Sequence, residues 1–257
     1  MEAMLDPSNH PLLLSLVLML CYLTSPVELL KLLPTILLKF PCVVGRSLLC
    51  YVCPSLFERD VSGDVVIITG AASGLGKLMS GKFSKLGAKV VMIDRDAAAL
   101  KAARDEIIQG SSGNARHILP HIITCDLSDR AATYAAMSEA ASSVGPCTIL
   151  INNAGIVTGK KLLESSDAAI EATFRVNTLA HFWTIKAVLP AMLEADSGHI
   201  VSVASIAGLM GVSGLADYSA SKAAVVSLDE SLRLEVPRQR LKPKSARYHS
   251  LPMPPVR

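Results

Sequence analysis

Asp64-Val65-Val66-Ile67-Ile68-Thr69-Gly70-Ala71-Ala72-Ser73-Gly74-Leu75-Gly76 is a short apolar run that breaks into glycines. It continues as Lys77-Leu78-Met79-Ser80-Gly81-Lys82-Phe83, with helical spacing. Strand, glycine loop and helix start in that order make a phosphate site. The glycines let backbone approach the ligand, and the first helical amides have no partner inside the helix. Thr69, Gly70, Ser73, Gly74, Leu75 and Gly76 are the candidate contacts.

The next apolar run, Lys89-Val90-Val91-Met92-Ile93-Asp94, ends in a carboxylate about 20 residues further on, where a ribose hydroxyl is expected. Asp94 would repel a 2′-phosphate and so favours NAD; Arg95, directly after it, could meet that phosphate and leaves NADP open. Downstream, strand-like runs near 117–125, 148–152 and 199–204 alternate with helical patterns near 96–109, 128–143, 168–193 and 215–235. The expected fold is therefore α/β, a doubly wound parallel sheet of Rossmann-like type with right-handed crossovers.

Tyr218 and Lys222 lie four residues apart in Tyr218-Ser219-Ala220-Ser221-Lys222, on one face of a helix. An ammonium beside a phenol favours the phenolate. Ser205, just past the run Ile200-Val201-Ser202-Val203-Ala204, would present its hydroxyl at a strand tip. Together they describe an acid/base site acting on an alcohol.

These residues resemble the short-chain dehydrogenase/reductase family over roughly Val61 to Val236. The resemblance implies that Asp126 and Leu127 contact adenine and that Asn153, Ala154 and Gly155 line the cofactor cleft. It also implies that Asn177 completes a proton relay through water, with Tyr218 and Lys222 touching the cofactor as well. Val176-Asn177-Thr178-Leu179-Ala180-His181-Phe182-Trp183-Thr184 is similar to the branch of epidermal-type retinol dehydrogenases and membrane-bound 17-beta-hydroxysteroid dehydrogenases. The implied activity is NAD(P)-dependent interconversion of a lipophilic alcohol, a retinoid or a steroid, with its carbonyl.

The 257 residues divide into a hydrophobic region, 1–57, a dinucleotide-binding domain, 58–236, and a tail, 237–257. Leu12 to Leu23 is apolar but shorter than the roughly 20 residues that span hydrocarbon, and a second apolar piece surrounds Pro34. Glu2 and Asp6 argue against a cleaved signal peptide. This region reads as a membrane anchor. With the family resemblance, it points to the endoplasmic reticulum membrane or the lipid-droplet surface, with the catalytic domain on the cytosolic side. Cys50 and Cys53 have metal-like spacing, but no second pair completes a site, so no metal is expected.

The net charge of +3 arises in the tail, whose six basic residues leave the remainder at about −3. Nothing in that balance calls for nucleic acid. The tail carries five prolines and is expected to be disordered, leaving the C-terminal strands of the family missing. An apolar edge beside the fifth strand would then be prone to association, which makes a homodimer one expectation. A second reading is an inactive, membrane-attached relative that binds only nucleotide or a partner.

Overall fold

Val65–Thr69 (β1) is buried along its whole length, which a strand achieves only inside a sheet covered on both faces. The computed structural model describes residues 60–110, 117–236 and, for the backbone alone, 249–251. The expected anchor, the Cys50–Cys53 pair and the rest of the tail lie outside the described residues. The elements after β1 are α1 (Gly74–Lys85), β2 (Lys89–Asp94), α2 (Ala97–Gln109), β3 (His121–Thr124), α3 (Arg130–Val144) and β4 (Ile149–Asn152). They continue with α4 (Asp167–Phe174), a π turn (Arg175–Leu179), α5 (Ala180–Glu194), β5 (His199–Val203), α6 (Ala216–Glu235) and β6 (His249–Leu251).

The strands form one parallel sheet in the order β3-β2-β1-β4-β5-β6. That order reverses direction beside β1, and ligands in such sheets bind outside the carboxyl ends of the strands at this reversal. Alternate residues of β1 feed two cores. Val66 and Ile68 join Met79, Phe83, Leu100 and Ile107 from α1 and α2; Ile67 joins Met137, Ile185, Val188 and Leu232 from α3, α5 and α6. The parallel Rossmann-like α/β expectation therefore holds.

Two expectations need correction. The helical pattern over 168–193 is not one regular helix: it is broken by the π turn, where one residue is looped into the helical path. And a strand does follow Val236. β6 pairs with β5 in the register Val201↔His249, Ser202↔Ser250 and Val203↔Leu251. It is a three-residue edge strand that stops before Pro252, and none of its own amides is a proline nitrogen.

Among the described residues no helix is long and apolar enough to cross a membrane, and no cluster of ligating side chains could hold a metal. Cys125 and Cys147 are free and buried, and burial raises both thiols, Cys147 to about 12.

Candidate active site

The nucleotide side is built by backbone pressed on backbone. Gly70 has φ +64, and a Cβ on it would lie 2.8 Å from Ala154 Cα. A Cβ on Gly76 would collide with the Gly70 carbonyl and come within 2.7 Å of Asn153 Nδ2. Side chains pin the same contact. Thr69 Oγ1 accepts from the amides of Asn153 (2.9 Å) and Ala154 (3.0 Å), while Asn153 Nδ2 donates to the carbonyls of Thr69 (2.9 Å) and Gly70 (3.1 Å).

At the N-termini of α2, α3 and α4 the side chains of Asp96, Asp129 and Ser166 accept a first-turn amide. At α1, Ser73 makes no such bond, and the first turn carries no acid. Those amides remain available to an anion.

Asp94 closes the far side of the loop, its Oδ2 accepting from the Ala72 amide at 3.0 Å. Asp126 is held below the usual carboxylate range, first by the Ser128 amide and hydroxyl and then by the Arg95 cation. The resulting cleft, ≈ 440 Å³, is walled by the glycine loop, Asp94, Arg95, Asp126, Leu127, Asn153, Ala154 and Gly155, together with Cys125, Ile156 and Val176. Thr69 and Gly76, expected as contacts, are not part of this wall; they hold the loop. A glycine loop that a Cβ on Gly70 or Gly76 would force apart, uncapped amides and a carboxylate at the end of β2 fit a nicotinamide dinucleotide.

The second half of the site hangs on α6. Tyr218 is partly exposed, whereas Lys222 is buried, with its ammonium 5.9 Å from the centre of the Tyr218 ring. Lys222 Nζ donates to the Val203 carbonyl at 2.8 Å, and burial pushes its pKa down to about 8. Ser205 lies two residues beyond β5, and its Oγ accepts from the Ala207 amide at 3.2 Å. The turn after it rests on α6, since a Cβ on Gly208 would be 2.7 Å from the Lys222 carbonyl carbon.

Asn177 sits inside the π turn, fully buried. Its Oδ1 accepts from the Ile156 amide (2.8 Å), and its Nδ2 donates to the Ile156 carbonyl (2.9 Å) and to Ser221 Oγ (3.1 Å). Ser221 in turn donates to the Tyr218 carbonyl at 2.7 Å. A Cβ on Gly155 would lie 3.4 Å from Asn177 Oδ1 and 3.5 Å from Lys222 Nζ, so the glycine-loop cleft and the cluster of Lys222 and Asn177 share Gly155 as a common wall.

Sequence reasoning missed several participants. Ser221 links Asn177 to the Tyr218 turn. Buried Asp217 gathers the hydroxyls of Thr158 (2.9 Å) and Thr173 (3.1 Å), fixing the loop after β4 to the start of α6. The only signal for Ser221 was its place inside the Tyr-x-x-x-Lys run; Asp217 had none.

The model of the short chain dehydrogenase family matches residues 64–243. This chain belongs to the short chain dehydrogenase family. Among curated relatives it is 45% identical over 180 residues to short-chain dehydrogenase/reductase family 16C member 6 of Bos taurus, covering 70% of this chain and 55% of that protein. It is 44% identical over 200 residues to epidermal retinol dehydrogenase 2 of Mus musculus (75% and 62%). It is 41% identical over 199 residues to human retinol dehydrogenase 10 (70% and 58%). The chain thus spans a little over half the length of these relatives.

Among solved structures, a metagenomic short-chain oxidoreductase in complex with NADP superposes with TM-score 0.66 at 34% identity, covering 74% of this chain and 81% of that one. A short chain dehydrogenase/reductase from Burkholderia phymatum in complex with NAD has TM-score 0.66 at 31% identity, covering 74% and 66%. In this short chain dehydrogenase, then, the glycine-loop cleft and the α6 cluster both fall within the matched region.

Proposed function

We propose that the chain is an NAD(P)-dependent alcohol dehydrogenase acting on a lipophilic alcohol, with retinol the favoured substrate. The observation that carries the reading is the buried Lys222 beneath Tyr218, one helical turn away and against the wall of the dinucleotide cleft. The dinucleotide would supply the hydride acceptor. Gly70, Gly74 and the α1 amides would hold its phosphates, and Asp94 its ribose, favouring NAD over NADP.

Tyr218 would take the hydroxyl proton as the alcohol carbon loses hydride, leaving a carbonyl. Lys222 would stabilise the phenolate and bind the nicotinamide ribose. Ser205 would orient the substrate oxygen and stabilise the charge developing on it. Asn177 would hold the Ile156 loop and pass the Lys222 proton to solvent through a water.

The curated relatives named as retinol dehydrogenases support retinol, and a steroid alcohol is the alternative within the same chemistry. The apolar runs in residues 1–57 support attachment to the endoplasmic reticulum membrane or a lipid droplet. A second reading is a nucleotide-binding but inactive form, favoured by a glycine-loop cleft whose wall includes neither Tyr218 nor Lys222.

The test is a titration of purified full chain with NADH, followed by turnover assays with NAD on retinol and on a steroid alcohol. Retinol oxidation supports the first reading. NADH binding without turnover of either alcohol supports the second, and no NADH binding overturns both.

A further inference from the structure

The side of α1 that faces away from the sheet is built of leucine and lysine. Ser80 and Ser84 are fully buried on the inner side. On the outer side Leu78 is 66% exposed, and Leu86, directly after the helix, is 54% exposed. Lys82 and Lys85 stand between them on the same face, also exposed. The helix carries three lysines and no acid. Between α1 and α2 runs a groove of ≈ 490 Å³, lined by Leu78, Met79 and Ile107 together with Lys82 and Lys85. Its only acid among the described residues, Glu106, is paired with Lys77 at 2.8 Å. The face is therefore apolar and carries a net positive charge.

The chain enters the domain at the same end of α1. Val61 belongs to the apolar cluster that holds Met79 and Phe83, and the Gly63 amide donates to the Gly87 carbonyl at 2.9 Å, two residues past the helix. The apolar runs of residues 1–57 precede this point directly in sequence. Ser84 Oγ donates to the Ile118 carbonyl at 2.6 Å, which brings Ile118 and the 63%-exposed Leu119 to that end as well.

Exposed leucines rimmed by cations mark an interaction surface, and the two together suit the headgroup layer of a bilayer. We propose that the outer face of α1 docks on an anionic membrane surface. Leu78 and Leu86 enter the headgroup layer, while Lys82 and Lys85 lay their methylene stems beside them and meet the anionic headgroups. The surface builds on the membrane attachment proposed for residues 1–57 and adds a second contact to it. One attachment leaves a domain free to tumble on its tether; two hold it against the lipid in a fixed orientation. The two lysines together are worth roughly thirtyfold in the docking equilibrium.

The chain has a single tryptophan, Trp183, which packs against the core, so Leu78→Trp in the full chain adds a surface reporter with the parent chain as background. On vesicles of phosphatidylcholine and phosphatidylserine the new tryptophan should emit further to the blue and be quenched by brominated acyl chains. Adding Lys82→Gln and Lys85→Gln should lower the docked-to-undocked ratio, read from the quenched fraction, roughly thirtyfold. High salt should act in the same direction. A tryptophan that stays in water on vesicles the protein has bound, or quenching indifferent to both lysines, overturns the proposal. A blue shift without lipid that grows with protein concentration would mean a second copy covers the face, and overturns it too. Co-sedimentation with phosphatidylcholine alone reads attachment through residues 1–57, so a failure there is told apart from a failure of the α1 face. Binding to neither kind of vesicle overturns both.

Discussion

The two halves of the site solve the burial of polar atoms in opposite ways. Around the glycine loop, Thr69 and Asn153 satisfy the backbone of the opposite segment and the Asp94 carboxylate is bonded to the loop amide of Ala72. Around α6, buried Lys222 donates to the Val203 carbonyl, and His181 and Asn152 carry nitrogens with no partner among the described residues. The first half is a finished scaffold waiting for an anion. The second stores unpaid solvation, which is what a proton-handling group needs if it is to titrate near neutrality.

Substitutions should separate the halves. The largest effect belongs to Tyr218→Phe: turnover should fall by about 10²–10⁴-fold while the NADH dissociation constant is unchanged. A parallel loss of NADH binding would mean the halves are not separable.

Lys222→Met should abolish turnover yet stabilise the fold by up to about 3 kcal/mol at neutral pH, measured by urea unfolding. The sign follows from burial. The folded lysine titrates at about 8, below its unfolded value, so between the two the unfolded chain holds the extra proton and stability rises with pH. The variant should lose that slope.

Gly76→Ala should do the reverse, removing NADH binding and costing about 1–3 kcal/mol, because its Cβ meets the backbone of Gly70. Asp94→Ser should be mildest. The ratio of NADH to NADPH affinity should drop by about tenfold, or roughly 1.4 kcal/mol, with no loss of stability beyond the Ala72 hydrogen bond.

The loop and the Tyr218–Lys222 pair were legible because each is local: a strand, a glycine turn and a helix start, or two residues one turn apart. Ser205 was legible from its place just past an apolar run, whereas Asn177 needed the family resemblance, and the structure puts Asn177 where its amide clamps Ile156. What stayed hidden is long-range. Asp217 reaches Thr158 across 59 residues of sequence, and Thr184 reaches Asn152 across 32. No periodicity encodes such pairs. β6 was missed for a different reason: proline density argues against a central strand but tolerates a short one at the edge.

The π turn at Arg175–Leu179 also sets the phase of everything that follows it. One residue in a helix is about 100° of rotation. Straightening that turn into a regular α-helix with all its residues kept would swing His181, Thr184 and Val188 away from the sheet by about that angle. The turn works as a fixed dial: it sets which residues of α5, Thr184 and Val188 among them, face the sheet.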